Sequence, residues 1–291
     1  MGRQGLQVQV GQIAPAQYRR APWPAIHYAI ATTGRAGIID YMLNRLLAGT
    51  VAGDGGETAT LLRDLQSRLI HLEVAAARLR AGLASARDVT LYGPYIGRAY
   101  LETATTTLLA RMDPFRVLAA KRHQEADYYQ AGERSKSAVQ WSGDIVSPIK
   151  PTKHLWSVDT REVGCRSLLG AWAEEIVWIP AFEQFGDAVA ASGPMDDWIT
   201  DLSKKSVDQF CKELRSSLEG LFSKFSKGVH SELLGQRAAM FDSISIESDF
   251  RSAAQRITCL ALLSHFSEHF AFRLEGKRAM GIADRIGRHW K

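Results

Sequence analysis

Two histidines and a glutamate lie close together in the segment His265-Phe-Ser-Glu268-His269. On a helix, imidazoles four positions apart share a face and can bind one Zn²⁺, while the glutamate between them polarises a water molecule. Since ionisable groups within an apolar helix must find partners, the same side chains could instead form a buried polar network. We expect the polar network, and we treat the three residues as a possible polar or metal site.

The His-x-x-Glu-His pattern of this segment resembles that of the inverted zincins, a family of metalloproteases. That family takes its third metal ligand from a glutamate far downstream of the motif. Few residues follow His269, which disfavours a metalloprotease. We therefore expect neither a metal ion nor another cofactor.

A second candidate site consists of Arg116 and His123, which are separated by six residues. Cleavage of RNA without a metal requires a cation and a group that titrates near pH 7 facing one phosphate. An arginine followed after four to six residues by a histidine resembles the signature of the HEPN superfamily. Its members are small helical bundles, often dimeric, and its active members cut RNA without a metal ion.

The resemblance implies a role for each of these two residues. Arg116 would stabilise the charged phosphorane, and His123 would transfer a proton to or from the ribose 2′-OH and the leaving oxygen. The segment from Phe225 to Glu232 looks like helix turns of some HEPN-like proteins and contains His230, to which we assign no catalytic role.

A third segment, from Tyr92 to Glu102, combines aromatic side chains with an arginine. Arg98 could donate hydrogen bonds to a phosphate while Tyr92 or Tyr95 stacks on a base. The alternative is an ion pair between Arg98 and Glu102, four positions apart on a packed helix, with both tyrosines in the adjoining core. We expect the second arrangement and keep Arg98 as a candidate nucleic-acid contact.

Charge is unevenly distributed along the chain, whose formal net charge is +5. Residues 160–201 carry eight acids and two arginines, so this surface should repel nucleic acid. Residues 270–291 are basic and could hold phosphates and a base, or form a solvated helix end whose tryptophan packs on its own protein. The candidate contacts in this segment are Arg273, Lys277, Arg278, Arg285, Arg288 and Trp290.

The elements that must position these side chains have helical periodicity. The strongest pattern places leucine or alanine at three-four spacing between Leu62 and Leu83, on a helix expected from about Thr58 to Asp88. A helix of this length needs a partner along its whole length. That partner is either another helix of the chain or a second subunit.

Periodicity and breaker residues predict the other elements. Before a central loop, helices are expected over residues 26–47, 94–111 and 115–129, the last with Asp113 as N-cap and Pro114 at its first position. After the loop, we expect one amphipathic helix with its apolar stripe on Leu168, Leu169, Trp172, Ile176 and Ile179, one long helix over residues 198–221, and another over residues 248–274. Residues 6–10 and 241–246 are strand-like.

The central loop, residues 132–160, is rich in Ser, Gly, Pro and Lys, which is typical of a linker or long surface loop. It divides the chain into an N-terminal helical subdomain with an extended arm, residues 1–131, and a C-terminal helical subdomain, residues 161–291. We therefore predict an all-α protein of two helical-bundle subdomains with at most a short N-terminal strand or arm.

Composition excludes several classes of protein. The longest aliphatic stretch, from Cys259 to Leu263, is far shorter than the roughly twenty residues of a spanning helix, so no membrane protein is expected. The three cysteines lie far apart, which argues against a disulfide framework or a zinc site. Because no secretion signal is recognisable, we expect a cytoplasmic protein of prokaryotic character.

Three functional hypotheses follow, of which the third is a metal-dependent hydrolase at the segment from His265 to His269. The first is a non-catalytic helical interaction subunit of a larger assembly that handles nucleic acid, for example in antiviral defence, with the helix between Leu62 and Leu83 and the basic residues 270–291 as contacts. Its partners would be another protein subunit or a second copy, and RNA or DNA. The alternative is a HEPN-like metal-independent ribonuclease or toxin that uses Arg116 and His123.

Overall fold

The structure, a computed structural model, describes residues 35–51, 56–80, 85–130, 132, 138–146, 167–230 and 241–288. Within these ranges the chain is helical without a strand, which confirms the all-α prediction. Helices α1 to α10 are Arg35–Ala48, Gly56–Arg80, Ala86–Met112, Pro114–Gln124, Ala171–Ala173, Ile179–Ala190, Asp197–Ser203, Val207–Val229, Ser243–Leu263 and Gly276–Arg288. The described residues also form two π turns, Trp141–Ile145 and Glu174–Trp178.

The two longest described helices, α2 and α3, have 25 and 27 residues and pack against each other. Leu62, Leu69 and Ala76 of the three-four stripe are buried, and α2 also packs against α1. The described part of this stripe thus packs against other helices of the same chain, which is one of the two partners expected from the sequence. Association with another subunit through α2 stays a prediction, and Leu83 lies outside the described residues.

The expectation that one helix runs to Asp88 and the next begins at Pro94 is wrong. α2 ends at Arg80, and α3 begins after Ser85, whose hydroxyl accepts the Asp88 backbone N–H at 3.2 Å. The Asp88 carboxylate in turn accepts the Ser85 backbone N–H at 3.1 Å. This reciprocal capping box starts α3 ahead of Pro94, which therefore lies inside the helix.

Glycines let α8 and α9 approach the first half of α3 closely. A Cβ at Gly93 would lie 2.9 Å from the Ile246 side chain, and a Cβ at Gly97 would lie 2.5 Å from the Phe225 ring. Larger residues would push the helices apart. The glycine side of α3 is therefore its buried side, and residues on the opposite side face solvent.

The start of α4 confirms the predicted cap. Asp113 accepts the backbone N–H of Arg116 at 3.3 Å, and Pro114 is the first helical residue. α4 ends at Gln124, earlier than the expected residue 129, and the Ala126 N–H then donates to the His123 carbonyl at 3.4 Å in a tighter turn.

The helical segment over residues 171–190 contains the π turn Glu174–Trp178, which changes the buried side. Trp172 and Ile176, expected in the buried stripe, are 41% and 52% exposed. Because a π turn adds one residue to the helix, the side chains after it rotate relative to an uninterrupted α-helix. Trp178 faces the core instead, so the predicted stripe is wrong at Trp172 and Ile176.

Two further boundaries differ from expectation. The helix expected over residues 198–221 is interrupted after Ser203, because Ser206 caps α8 by accepting the Gln209 N–H at 3.3 Å. The strand expected at residues 241–246 is wrong, because Asp242 caps α9 by accepting the Ser245 N–H at 2.7 Å. α9 then ends at Leu263 and not at residue 274.

Buried side chains on both sides of the predicted linker belong to one hydrophobic cluster, including Leu46 and Leu101 on one side and Phe225 and Ile286 on the other. Of the linker, the structure describes only residues 132 and 138–146. The predicted division into residues 1–131, 132–160 and 161–291 stays a prediction.

The remaining expectations concern cysteines, membranes and the chain's first residues. Cys211 and Cys259 are free thiols, and burial raises the pKa of Cys211 to about 12. In the part of the chain that the structure describes, no helix combines the length and apolarity needed to cross a membrane. The strand or arm expected at residues 6–10 lies outside the described ranges.

Candidate nucleic-acid interface

The solvent side of α3 carries two tyrosines. Tyr92 and Tyr95 are 54% and 59% exposed, and side chains three positions apart on a helix are neighbours, with about 5–6 Å between their Cβ atoms. The expectation that both tyrosines lie in the core is wrong, because the glycine side of α3 is the buried one. Tyr100, which lies on that side, is the buried tyrosine of the segment, with 7% exposure.

Arg98 follows Tyr95 by three positions, and its neighbours restrict the guanidinium. Nε donates to Glu102 Oε1 at 3.0 Å, which is the expected ion pair. The guanidinium carbon lies 5.0 Å from the centre of the Phe222 ring, within the range of cation–π attraction. Phe222 in turn stacks on Trp141, with ring centroids 4.2 Å apart. The Arg98 side chain nevertheless keeps 27% of its surface exposed.

The structure adds His230, the C-cap residue of α8, to this group. Arg98 Nη1 lies 2.9 Å from His230 Nε2, although the two residues are 132 positions apart. Because a guanidinium only donates hydrogen bonds, Nε2 accepts and the ring proton resides on Nδ1. The packing of α8 on α3 creates this contact, and no local spacing in the sequence indicates it.

No family model, curated protein or solved structure matches this chain. Its function is therefore inferred from the chemistry of its own residues. A base stacked on an aromatic side chain gains about 1–3 kcal/mol with little dependence on sequence, because every base has a π face. A guanidinium beside the ring supplies donors for phosphate oxygens. The exposed side of α3 combines both components.

Arg116 and His123 lie on α4, about two turns apart. Arg116 Nη1 donates to the Asp144 carboxylate at 2.5 Å, so this donor is engaged by an acid rather than directed at a phosphate. His123 Nδ1 lies 3.3 Å from the hydroxyl of Tyr128, and the two rings are in contact. Each of the two residues therefore has protein partners of its own.

The three residues of the His-x-x-Glu-His segment do not share a helix face. α9 ends at Leu263, so the expectation of a helix through His269 is wrong. His265 is buried, whereas Glu268 and His269 are exposed. Among the described residues, no group of three His, Cys, Asp or Glu side chains is placed to hold a metal ion.

His265 instead belongs to a buried polar network that includes Arg111. Its Nε2 donates to the Leu46 carbonyl at 2.8 Å, and its Nδ1 accepts the Leu274 N–H at 3.0 Å. The Arg111 guanidinium lies 3.3 Å from the same Nδ1. Burial, and after it the charge of Arg111, lower the pKa of His265 to about 3, so the ring is neutral at pH 7.

Arg111 joins the ends of α1 and α9 to the connection between α9 and α10. It is only 1% exposed and donates to Leu47 O at 3.0 Å, to Ser264 Oγ at 2.8 Å and to Ala271 O at 2.9 Å. Burial, followed by the charge of Arg273, lowers the pKa of Arg111 to about 9, so it still carries its proton at pH 7. Oxygens at the negative ends of two helices compensate this charge. No pattern in the sequence marks Arg111 for this role.

The last described helix, α10, has a basic exposed side. Its inner side chains, such as Ile282 and Ile286, are buried, and Arg288 pairs with Asp284 at 2.5 Å. Trp290 lies outside the described residues. The predicted phosphate contacts at the surface of this region are Arg273, Lys277, Arg278, Arg285 and Arg288.

A cleft of about 490 Å³ lies between the start of α2 and α4. Arg63, Lys121 and Arg122 are its basic lining residues. Arg122 Nη2 lies 2.7 Å from both carboxylate oxygens of Glu57, and Lys121 pairs with Glu125. Because these acids pair with Lys121 and Arg122, the cleft is a weaker anion site than its basic residues indicate.

Proposed function

We propose that this protein is a non-catalytic helical subunit that binds single-stranded nucleic acid through the solvent side of α3, within a larger assembly. One observation carries the proposal: Tyr92 and Tyr95 are both more than half exposed, and the partly exposed Arg98 follows Tyr95 by three positions on the same helix. Two stacking platforms next to a guanidinium suit two successive bases and a phosphate.

The surroundings of Arg98 support this role. The carboxylate of Glu102 and the ring of Phe222 hold the guanidinium at one position, which reduces the side-chain entropy lost on binding. His230 adds a second polar ring at the same place. The exposed cations of α10 provide further phosphate contacts, which would raise affinity in a salt-dependent manner without reading sequence.

Fluorescence anisotropy of a labelled oligouridine at low salt tests the proposal. Removing one stacking ring, by Tyr92→Ala or Tyr95→Ala, should weaken binding by about 1–3 kcal/mol, or roughly 5- to 150-fold. Tyr95→Phe keeps the ring and should bind almost as well as the native protein. Arg98→Ala should weaken binding and lower the slope of log affinity against log salt by about 1.

Phe115 provides the matched control, because it is also an exposed aromatic residue, with 77% exposure, but lies on α4. Phe115→Ala should leave oligouridine binding unchanged. Equal affinity of the native protein and the Tyr92→Ala/Tyr95→Ala variant would refute α3 as the interface.

The HEPN-like ribonuclease alternative receives less support from the site geometry. Arg116 Nη1 is held by Asp144 at 2.5 Å and Nη2 is buried, so a phosphate would reach this guanidinium only after a rearrangement. Metal-independent cleavage by Arg116 and His123 therefore remains the second hypothesis, with an activity assay as its test.

A further inference from the structure

We infer that the exposed side of the helical segment over residues 171–190 docks a basic amphipathic helix of a partner protein. This surface is separate in sequence from the tyrosines of α3, and its negative charge repels nucleic acid. The inference therefore goes beyond the proposed function and concerns how the subunit joins an assembly.

The apolar half of this docking surface consists of Trp172 and Ile176. They are 41% and 52% exposed and lie four positions apart, so they adjoin on one side of the segment. Ile176 lies within the π turn Glu174–Trp178, and Trp178 at the end of this turn faces the core. Such turns within α-helices occur frequently at functional sites.

The acidic half consists of Glu183 and Asp187, both exposed on α6. They lie four positions apart and so adjoin on α6, which continues directly from the π turn that contains Ile176. Within the described residues, no basic side chain lies within ion-pair distance of either acid. Glu174 differs, because Arg215 pairs with it at 2.9 Å.

The sequence around the segment strengthens its negative field. Residues 167–203 contain seven acids and neither lysine nor arginine. This excess of acids favours a cationic partner.

These features define the partner's chemistry. The segment is about 30 Å long at 1.5 Å per residue, so it can accommodate about five turns of a helix lying along it. Apolar side chains of the partner would cover Trp172 and Ile176, and its lysines or arginines would pair with Glu183 and Asp187.

A second copy of this chain fits less well in this role. Its basic helix α10 buries its apolar side, including Ile282 and Ile286, in its own core. Through α10, such a copy would offer charges to Glu183 and Asp187 but would keep Ile282 and Ile286 away from Trp172 and Ile176. We therefore assign the complementary helix to a different protein.

The test uses the full chain and a fluorescent amphipathic peptide of leucine and lysine, about 18 residues long. A matched leucine and glutamate peptide serves as the opposite-charge probe. Because the chain has a net charge of +5, general electrostatics disfavours the lysine peptide, and its binding reports a local acidic surface. We expect the lysine peptide to bind, more weakly as salt rises, and the glutamate peptide not to bind.

Variants locate the binding. Trp172→Ala with Ile176→Ala should lower peptide affinity at least about tenfold, as for a central aromatic of an interface. Glu183→Gln with Asp187→Asn should lower it about three- to tenfold and flatten the salt dependence. Matched controls at exposed positions elsewhere, Phe115→Ala with Ile244→Ala and Glu219→Gln, should leave it unchanged.

The inference is overturned if the lysine peptide does not bind, if both peptides bind equally, or if neither double variant weakens binding. The Trp172→Ala/Ile176→Ala variant should keep its affinity for oligouridine. Loss of peptide binding alone thus distinguishes this surface from the one on α3.

Discussion

Gly49, which directly follows α1, should be irreplaceable even by alanine. Its φ is +73°, and a Cβ would lie 1.8 Å from the carbonyl oxygen of Phe272. That oxygen also accepts the Thr50 N–H at 2.7 Å. To restore a contact of ordinary length, the backbone between α9 and α10 would have to move by more than an ångström and stretch this hydrogen bond.

Three contributions determine the expected loss of unfolding free energy in Gly49→Ala. A left-handed conformation costs a non-glycine residue about 1–2 kcal/mol. Relief of the overlap costs about 1–3 kcal/mol, and a weakened Thr50–Phe272 hydrogen bond about 0.5–1.5 kcal/mol. The sum is about 2.5–6.5 kcal/mol, a large part of the 5–15 kcal/mol by which native proteins are typically stable.

Urea denaturation measures this loss, and two other glycines separate its causes. Gly56 has φ +67°, and a Cβ added there would meet no atom within 4 Å, so Gly56→Ala should cost only the conformational part, about 1–2 kcal/mol. Gly281 lies within α10 and also has free space, so Gly281→Ala should stabilise by up to about 1 kcal/mol. If Gly49→Ala and Gly56→Ala lose the same free energy, the overlap with Phe272 is not a constraint.

Two further predictions concern pH and catalysis. Because the pKa of His265 is lowered from 6.5 to about 3, the unfolded chain binds a proton at a higher pH than the folded chain does. The free energy of unfolding should therefore fall as pH drops from about 6.5 towards 3. Between pH 7 and 4.5 we expect a loss of about 2–3 kcal/mol. The urea midpoints at pH 7 and 4.5 should differ less in His265→Asn than in the native protein. An equal difference in the two proteins would contradict His265 as the cause of this pH dependence. Structured RNA incubated with the protein in EDTA should stay intact while its band shifts at low salt. Cleavage by the native protein that is lost in both Arg116→Ala and His123→Ala would instead support the ribonuclease hypothesis.

Part of the fold can be predicted from the sequence, because it depends on interactions between residues that are close together in the chain. Asp113 and Pro114 act within one helical turn, so their cap follows from the sequence alone. The ion pair between Arg98 and Glu102 likewise depends only on a four-residue spacing. All-α character follows from periodicity that is repeated along most of the described chain.

The remaining features depend on contacts between distant segments. The Ser85 capping box starts α3 ahead of Pro94, so this proline lies inside the helix, whereas proline alone indicated a boundary. Tyr92 and Tyr95 are exposed because glycines on the other side of α3 admit α8 and α9. The partnership of Arg98 with His230 spans 132 positions, and only the packed structure reveals it.

The network around Arg111 also affects how the chain opens. Loops usually undergo local unfolding before the helices that they connect. Here the backbone N–H groups of Ala271 and Leu274 donate to Arg111 O and His265 Nδ1, and the Arg111 guanidinium binds the end of α1. The segment between α9 and α10 can therefore detach only together with these helix ends, so its buried amides should exchange with solvent at rates characteristic of the core.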